Sequence, residues 1–202
     1  MNLRRLAALM LIAMSAVLSG CGVNAIPSYE EQAKAGWAQV LNQYQRRADL
    51  IPNLVETVKA AANFERSTLE AVVNARAKVA QTPIPPDILT NPEAMRQFQE
   101  NQGALTAALS RLMVVVERYP ELKANQSFLT LQAQLEGTEN RIAVARRDFI
   151  DAVRLYNTEL KTIPGRWWAA LLYPDAKEMA QFQVDEATTE VPKVDFGTTT
   201  NQ

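Results

Sequence analysis

The sequence predicts an all-α fold: an elongated antiparallel up-and-down four-helix bundle with long first and fourth helices. Three observations carry that expectation. Apolar residues recur in alternating steps of four and three over separate segments, the spacing that keeps one helical face apolar. Proline-containing breaks divide those segments. No stretch shows the period-two alternation of a half-buried strand.

The first helix is expected from about Tyr29 to Ala62, on a seam of Trp37, Leu41, Tyr44, Ala48, Ile51, Val55, Val58 and Ala62. Pro52 lies inside it, but the register is the same on both sides, so a kink is expected and not a break. Ser67 and Glu70 have capping-box spacing before Leu69, Val72, Val73 and Val79, which predicts a second helix to about Ala80. Residues 81–91 hold Pro83, Pro85 and Pro86 and form the main loop. Asn91 then caps a third helix that opens on Pro92 and buries Phe98, Gln102, Leu105, Leu109, Leu112, Val116 and Tyr119. After Pro120 a fourth helix carries Phe128, Leu131, Leu135, Thr138, Ile142, Ala145, Phe149, Ala152, Tyr156, Leu160 and Ile163. At 1.5 Å per residue the first and fourth helices each span roughly 50 Å. An apolar patch from Trp167 to Tyr173 and a mixed segment to about residue 188 follow, and the threonine-rich residues 189–202 read as a disordered tail.

Ahead of the helices, Arg4 and Arg5 precede an apolar run from Leu6 to Leu18 broken only by Ser15. The run is too short to span a bilayer, which takes about 20 residues, and has the length of a signal-peptide core. Leu18-Ser19-Gly20-Cys21 resembles a bacterial lipobox, in which residues 1–20 are removed and the cysteine receives diacylglyceryl and a further acyl chain such as palmitate. Residues 21–28 then form anchor and tether, and 29–188 the helical body. The expected place is the bacterial envelope, lipid-anchored and facing away from the cytoplasm. Gly22, not aspartate, follows the anchor, which points to the periplasmic face of the outer membrane if the host has two membranes.

Cleavage leaves 19 basic and 22 acidic residues, net −3, a balance that argues against nucleic acid as a partner. Histidine is absent, which removes the commonest general base and the commonest transition-metal ligand together. The single cysteine is assigned to lipid, so disulfides are not expected. Gly137 and Gly165 are isolated, and no glycine-rich phosphate loop or calcium-loop spacing occurs. No metal, no cofactor and no enzymatic activity are therefore expected.

Several irregular segments, in order, carry a resemblance. They are Arg46-Arg47-Ala48-Asp49-Leu50-Ile51-Pro52-Asn53-Leu54-Val55, Leu69-Glu70 with Ala75-Arg76, and Tyr119-Pro120-Glu121-Leu122-Lys123-Ala124-Asn125. Leu135-Glu136-Gly137-Thr138-Glu139-Asn140-Arg141-Ile142-Ala143, Tyr156-Asn157-Thr158 and Val191-Pro192-Lys193-Val194-Asp195-Phe196 complete them. The chain resembles the LemA family of bacterial envelope proteins over nearly all of the processed length. That resemblance implies a mostly helical bundle held at the membrane by its N-terminus, and no particular activity. The chain departs from the family in carrying a lipobox where members often have a transmembrane helix. It also has Asp148-Phe149 where a Tyr-Asn pair is common.

Asp49, Asn53, Glu136, Glu139, Asn140 and Arg141 lie on or beside the seams, and Arg76 follows Leu69 and Val72 on their face. Such residues suit a ligand site inside the bundle or a hydrogen-bonded network that fixes helix register; without histidine or cysteine among them, the network is the favoured reading, with Arg76 paired to a carboxylate. Trp37, Tyr44, Phe98, Phe128 and Phe149 are core by spacing. Trp167, Trp168, Leu171 and Leu172 share one helical face that either touches the membrane or a partner, or covers the open end of the core. The function read from all this is a scaffold or partner-binding module for another envelope protein. The alternatives are a carboxylate-based enzyme, with or without a divalent cation, and a carrier of an apolar ligand.

Overall fold

The computed structural model describes residues 22–61 and 64–182. The expected signal segment at residues 1–20, Cys21, Ala62, the Val191–Phe196 motif and the expected tail at 189–202 lie outside these residues. Among the described residues the fold is all-helical and contains no strand. Its elements are α1 (Ala25–Lys59), α2 (Arg66–Gln81), a 3-10 turn (Ile88–Thr90), α3 (Pro92–Val116), α4 (Pro120–Lys123), α5 (Gln126–Lys161) and α6 (Gly165–Leu172).

α1 starts four residues before Tyr29, so half of the expected tether is helical. Pro27 fits there because it falls in the first turn, where backbone N–H groups have no helical acceptor. The helix runs on through Pro52 and ends at Lys59. Its buried line keeps Trp37, Tyr44, Ile51, Val55 and Val58 of the expected seam, but takes Val40 and Arg47 in place of Leu41 and Ala48, which are only half-buried.

The capping box before α2 does not form. Helical turns begin at Arg66, with Glu65 at the cap, and both members of the box are diverted: Ser67 Oγ donates to Glu65 and Glu70 accepts from Arg66 Nε. The Asn91 cap does form, its Oδ1 accepting from the Ala94 N–H at 3.1 Å with Pro92 in the first turn. Tyr119 falls outside α3, and Asn125 caps α5 through the N–H groups of Ser127 and Phe128. Along α5 the inward residue near the end is Val153 and not Ala152, and Ile163 is 65% exposed.

The closest pairs of helices are α1 with α5 and α2 with α3. Gly36 permits the first: a Cβ there would lie 3.2 Å from the Phe149 Cα. α5 returns along α1, so the chain after Pro164 lies beside Gly22, where an ideal Cβ would sit 3.4 Å from the proline ring. Leu122 of α4 closes the opposite end against Val116 and Phe128.

Beyond α6 the chain folds back as an irregular strap. Asn157 on α5 holds it by donating to the Met179 carbonyl and accepting from the Met179 N–H, both at 2.9 Å. The strap buries Met179 and Phe182, and Phe182 reaches Phe149 and Trp37 with ring centroids 5.5 and 6.1 Å away.

Candidate functional site

The core divides into two apolar clusters. Trp37, Val40, Tyr44, Phe98, Ile142 and Phe149 belong to the one nearer the N-terminus, and Ile51, Leu54, Leu105, Leu109, Leu112 and Leu135 to the other. A polar layer lies between them. On α1 it is Arg47, between Tyr44 and Ile51; on α3 it is Gln102 and Thr106, flanking Leu105; on α5 it is Thr138 and Glu139, between Leu135 and Ile142.

Arg47 is 1% exposed, an unusual place for a guanidinium. Its Nη1 donates to Thr106 Oγ1 at 2.7 Å and to Glu139 Oε1 at 2.9 Å, and its Nη2 donates to the Gln102 carbonyl and side-chain oxygen. Its carbon lies 5.0 Å from the Tyr44 ring centroid, a cation–π contact. Burial pushes the Tyr44 phenol above its ordinary pKa, against the opposing pull of Arg146 and Arg47. A slip along the helices would set the Arg47 charge among leucines without partners, so the layer disfavours alternative registers.

Of the polar residues singled out from sequence, only Glu139 enters this layer. Asp49 and Glu136 are exposed and accept from Gln45 and Gln132 on their own helices; Asn53 and Asn140 are exposed; Arg141 is exposed and touches the layer only by donating from Nη2 to Thr138 Oγ1. They do not form one network, because the true seam of α1 passes through position 47 and turns positions 49 and 53 to solvent.

Arg76 is paired differently from the expectation. Its Nε donates at 3.0 Å to the backbone carbonyl of Ala48, not to a carboxylate. That carbonyl is the one left without its helical donor by Pro52, which has no N–H. α2 thus supplies the missing hydrogen bond of α1.

Two surface grooves flank the layer. One of about 430 Å³ is lined by Thr106, Leu109, Met113, Leu135, Glu136 and Glu139. The other, about 470 Å³, is lined by Tyr44, Arg76, Val79, Phe98 and Gln102 among others. Glu139 faces the first groove while bonded to Arg47, and its side chain is 40% exposed. No cluster of three or more metal-ligating side chains occurs among the described residues.

Of the four apolar residues singled out on α6, three are exposed and Trp168 turns to the core. Gly165 is buried, Trp168 and Ala169 pack on the N-terminal cluster, and Trp167 and Leu171 point outward at 62% and 72% exposure. Leu172 is 49% exposed. Gly165 allows this docking, since a Cβ there would overlap the Glu159 carbonyl oxygen. No helix among the described residues is long and apolar enough to cross a membrane.

Fold and site together define a helical protein with a buried arginine layer at mid-length and an apolar face at the end where the N-terminal segment joins. The chain belongs to the LemA family, whose model matches residues 36–196. It is similar to two proteins of Paramagnetospirillum magneticum named magnetosome protein MamQ 1 and MamQ 2, each 30% identical over 90 residues, 45% of this chain and 32% of theirs. Magnetosome protein MamQ of Magnetospirillum gryphiswaldense is 26% identical over 164 residues, 73% of this chain and 60% of that protein. The chain thus spans about a third of the first two relatives.

Proposed function

We propose that this protein is a non-enzymatic, lipid-anchored envelope protein. Its antiparallel up-and-down helical bundle faces away from the cytoplasm and acts as a scaffold or partner-binding module at the membrane. The observation that carries this reading is the junction between anchor and fold. The lipobox ends at Cys21, and the next residue, Gly22, already packs against Pro164 and Trp168. A body joined so directly to its lipid is held at the bilayer with little freedom to reach a distant substrate. Its long helices instead offer fixed surfaces to a neighbour. The relatives named magnetosome proteins share only part of their length with it, and their role is not carried over.

A carboxylate-based enzyme has one observation in its favour, the groove shared by Glu136 and Glu139. The Glu139 carboxylate is already engaged by Arg47, which fits a structural role better than a general base. Photo-crosslinking from the exposed positions Val114 and Val144 in intact cells, followed by partner identification, tests the main reading. A discrete envelope protein in the adduct is expected. No adduct from either position, together with an activity abolished by Glu139→Gln in a folded protein, would favour the enzyme.

A further inference from the structure

We infer that the outward face of α6 is a second membrane contact, which lies on the bilayer and sets the angle at which the helical body stands. The inference rests on the anchored reading above. Trp167, Leu171, Leu172 and the preceding Ile163 are 62%, 72%, 49% and 65% exposed, all within ten residues. The other large exposed apolar residues, among them Val73, Val114, Val144 and Leu155, stand singly along the helices. One exposed leucine is ordinary; four large exposed apolar side chains within ten residues, a tryptophan among them, are not.

Position decides the occupant. Gly22, one residue after Cys21, packs on Pro164 and Trp168, and the Tyr173 hydroxyl donates to the Val23 carbonyl at 3.2 Å. A lipid on Cys21 would therefore be attached one residue from the Gly22 contact with α6. The inner residues Trp168 and Ala169 are fastened to the core, so the outer face is presented in a fixed orientation. α6 contains no acidic residue, and Arg166 is exposed next to Trp167, a pairing suited to an apolar–headgroup boundary. Eight residues bind a bilayer weakly alone. Held there by the anchor, the face meets lipid at high effective concentration and needs only to orient.

The test uses the full chain in vesicles of phosphatidylethanolamine and phosphatidylglycerol, with or without brominated lipid. Trp37→Phe/Trp168→Phe leaves Trp167 as the only tryptophan, and Trp167→Phe/Trp168→Phe leaves Trp37 as a buried control. The proposal expects vesicle flotation of both variants, loss of most Trp167 emission to brominated lipid, protection of Trp167 from aqueous iodide, and no change for Trp37. Flotation with Trp167 quenched by iodide but not by brominated lipid overturns the α6 contact and leaves the anchor standing. Flotation with Trp167 quenched by neither shows the face covered by protein, a second copy or a partner, and also overturns it. A chain that does not float overturns both readings.

Discussion

Replacing Arg47 by methionine tests what the buried layer contributes. Methionine keeps most of the side-chain length and its contact with Tyr44, so the cavity term is small and the loss is polar. Four acceptors lose a donor: Thr106 Oγ1, Glu139 Oε1, and the carbonyl and side-chain oxygens of Gln102, of which Thr106 Oγ1 and the carbonyl stay bonded to each other. The Gln102 side chain is 6% exposed, and an unsatisfied buried oxygen costs about 1–3 kcal/mol. Glu139 loses a charge-assisted bond, but its side chain is 40% exposed and takes up water, which keeps the total below the cost of breaking a fully buried pair. The expected destabilisation is about 2–4 kcal/mol. Arg47→Met/Gln102→Leu/Glu139→Leu removes the two larger side-chain acceptors as well, leaves Thr106 Oγ1 bonded to the carbonyl at position 102, and should return to within about 1 kcal/mol of the native protein, because a mostly apolar layer replaces a costly polar one. Guanidinium unfolding followed by far-UV circular dichroism, on the full chain in a mild detergent, reads both differences. A single mutant within about 0.5 kcal/mol of the native protein, or a triple mutant as unstable as the single, would refute the reasoning.

The bond from Arg76 to the Ala48 carbonyl should depend on Pro52: Arg76→Ala is expected to cost about 1–2 kcal/mol in the native background and clearly less with Pro52→Ala, where an N–H is restored; additive stabilities would deny the link. Gly165→Ala should push α6 off the body, because the new Cβ would overlap the Glu159 carbonyl oxygen; with Trp37→Phe/Trp167→Phe in both chains, red-shifted Trp168 emission is expected, and unchanged emission would contradict it. Tyr44 ionises less readily folded than unfolded, from an ordinary value of 10.0, so the unfolded chain gives up its proton first as pH rises. Stability should therefore decline above about pH 10, and a Tyr44→Phe protein should lose less over the same range; identical declines would deny the contribution.

The long helices were legible because a strong period repeats many times within each. The Asn91–Pro92 start was legible because a capping residue and a first-turn proline act locally. The centre of the site was not. Stepping by four and three from Val40 lands on Arg47, but a charged residue reads as surface, and a seam begun at Trp37 and carried through Leu41 passes it by. A charged residue at a seam step is the signal that would have found it. Asp49 and Asn53 stand beside the half-buried Ala48 and the buried Ile51 and Leu54 in sequence but on the solvent side of the helix, which nearness along the chain does not distinguish. The strap at Met179 and Phe182 has no period to read, since one side chain, Asn157, fixes it by two hydrogen bonds. The splitting of α6 into a packed Trp168 and an outward Trp167 depends on how the short helix docks, which eight residues do not encode by themselves.

How the chain meets the membrane is tested most directly by mass spectrometry of the protein extracted from its native membranes. The lipid-anchored reading predicts a mature N-terminus at Cys21 bearing a diacylglyceryl group on sulfur, with or without a further acyl chain on the amine. A chain that still begins at Met1, or a Cys21 with a free thiol, would contradict it.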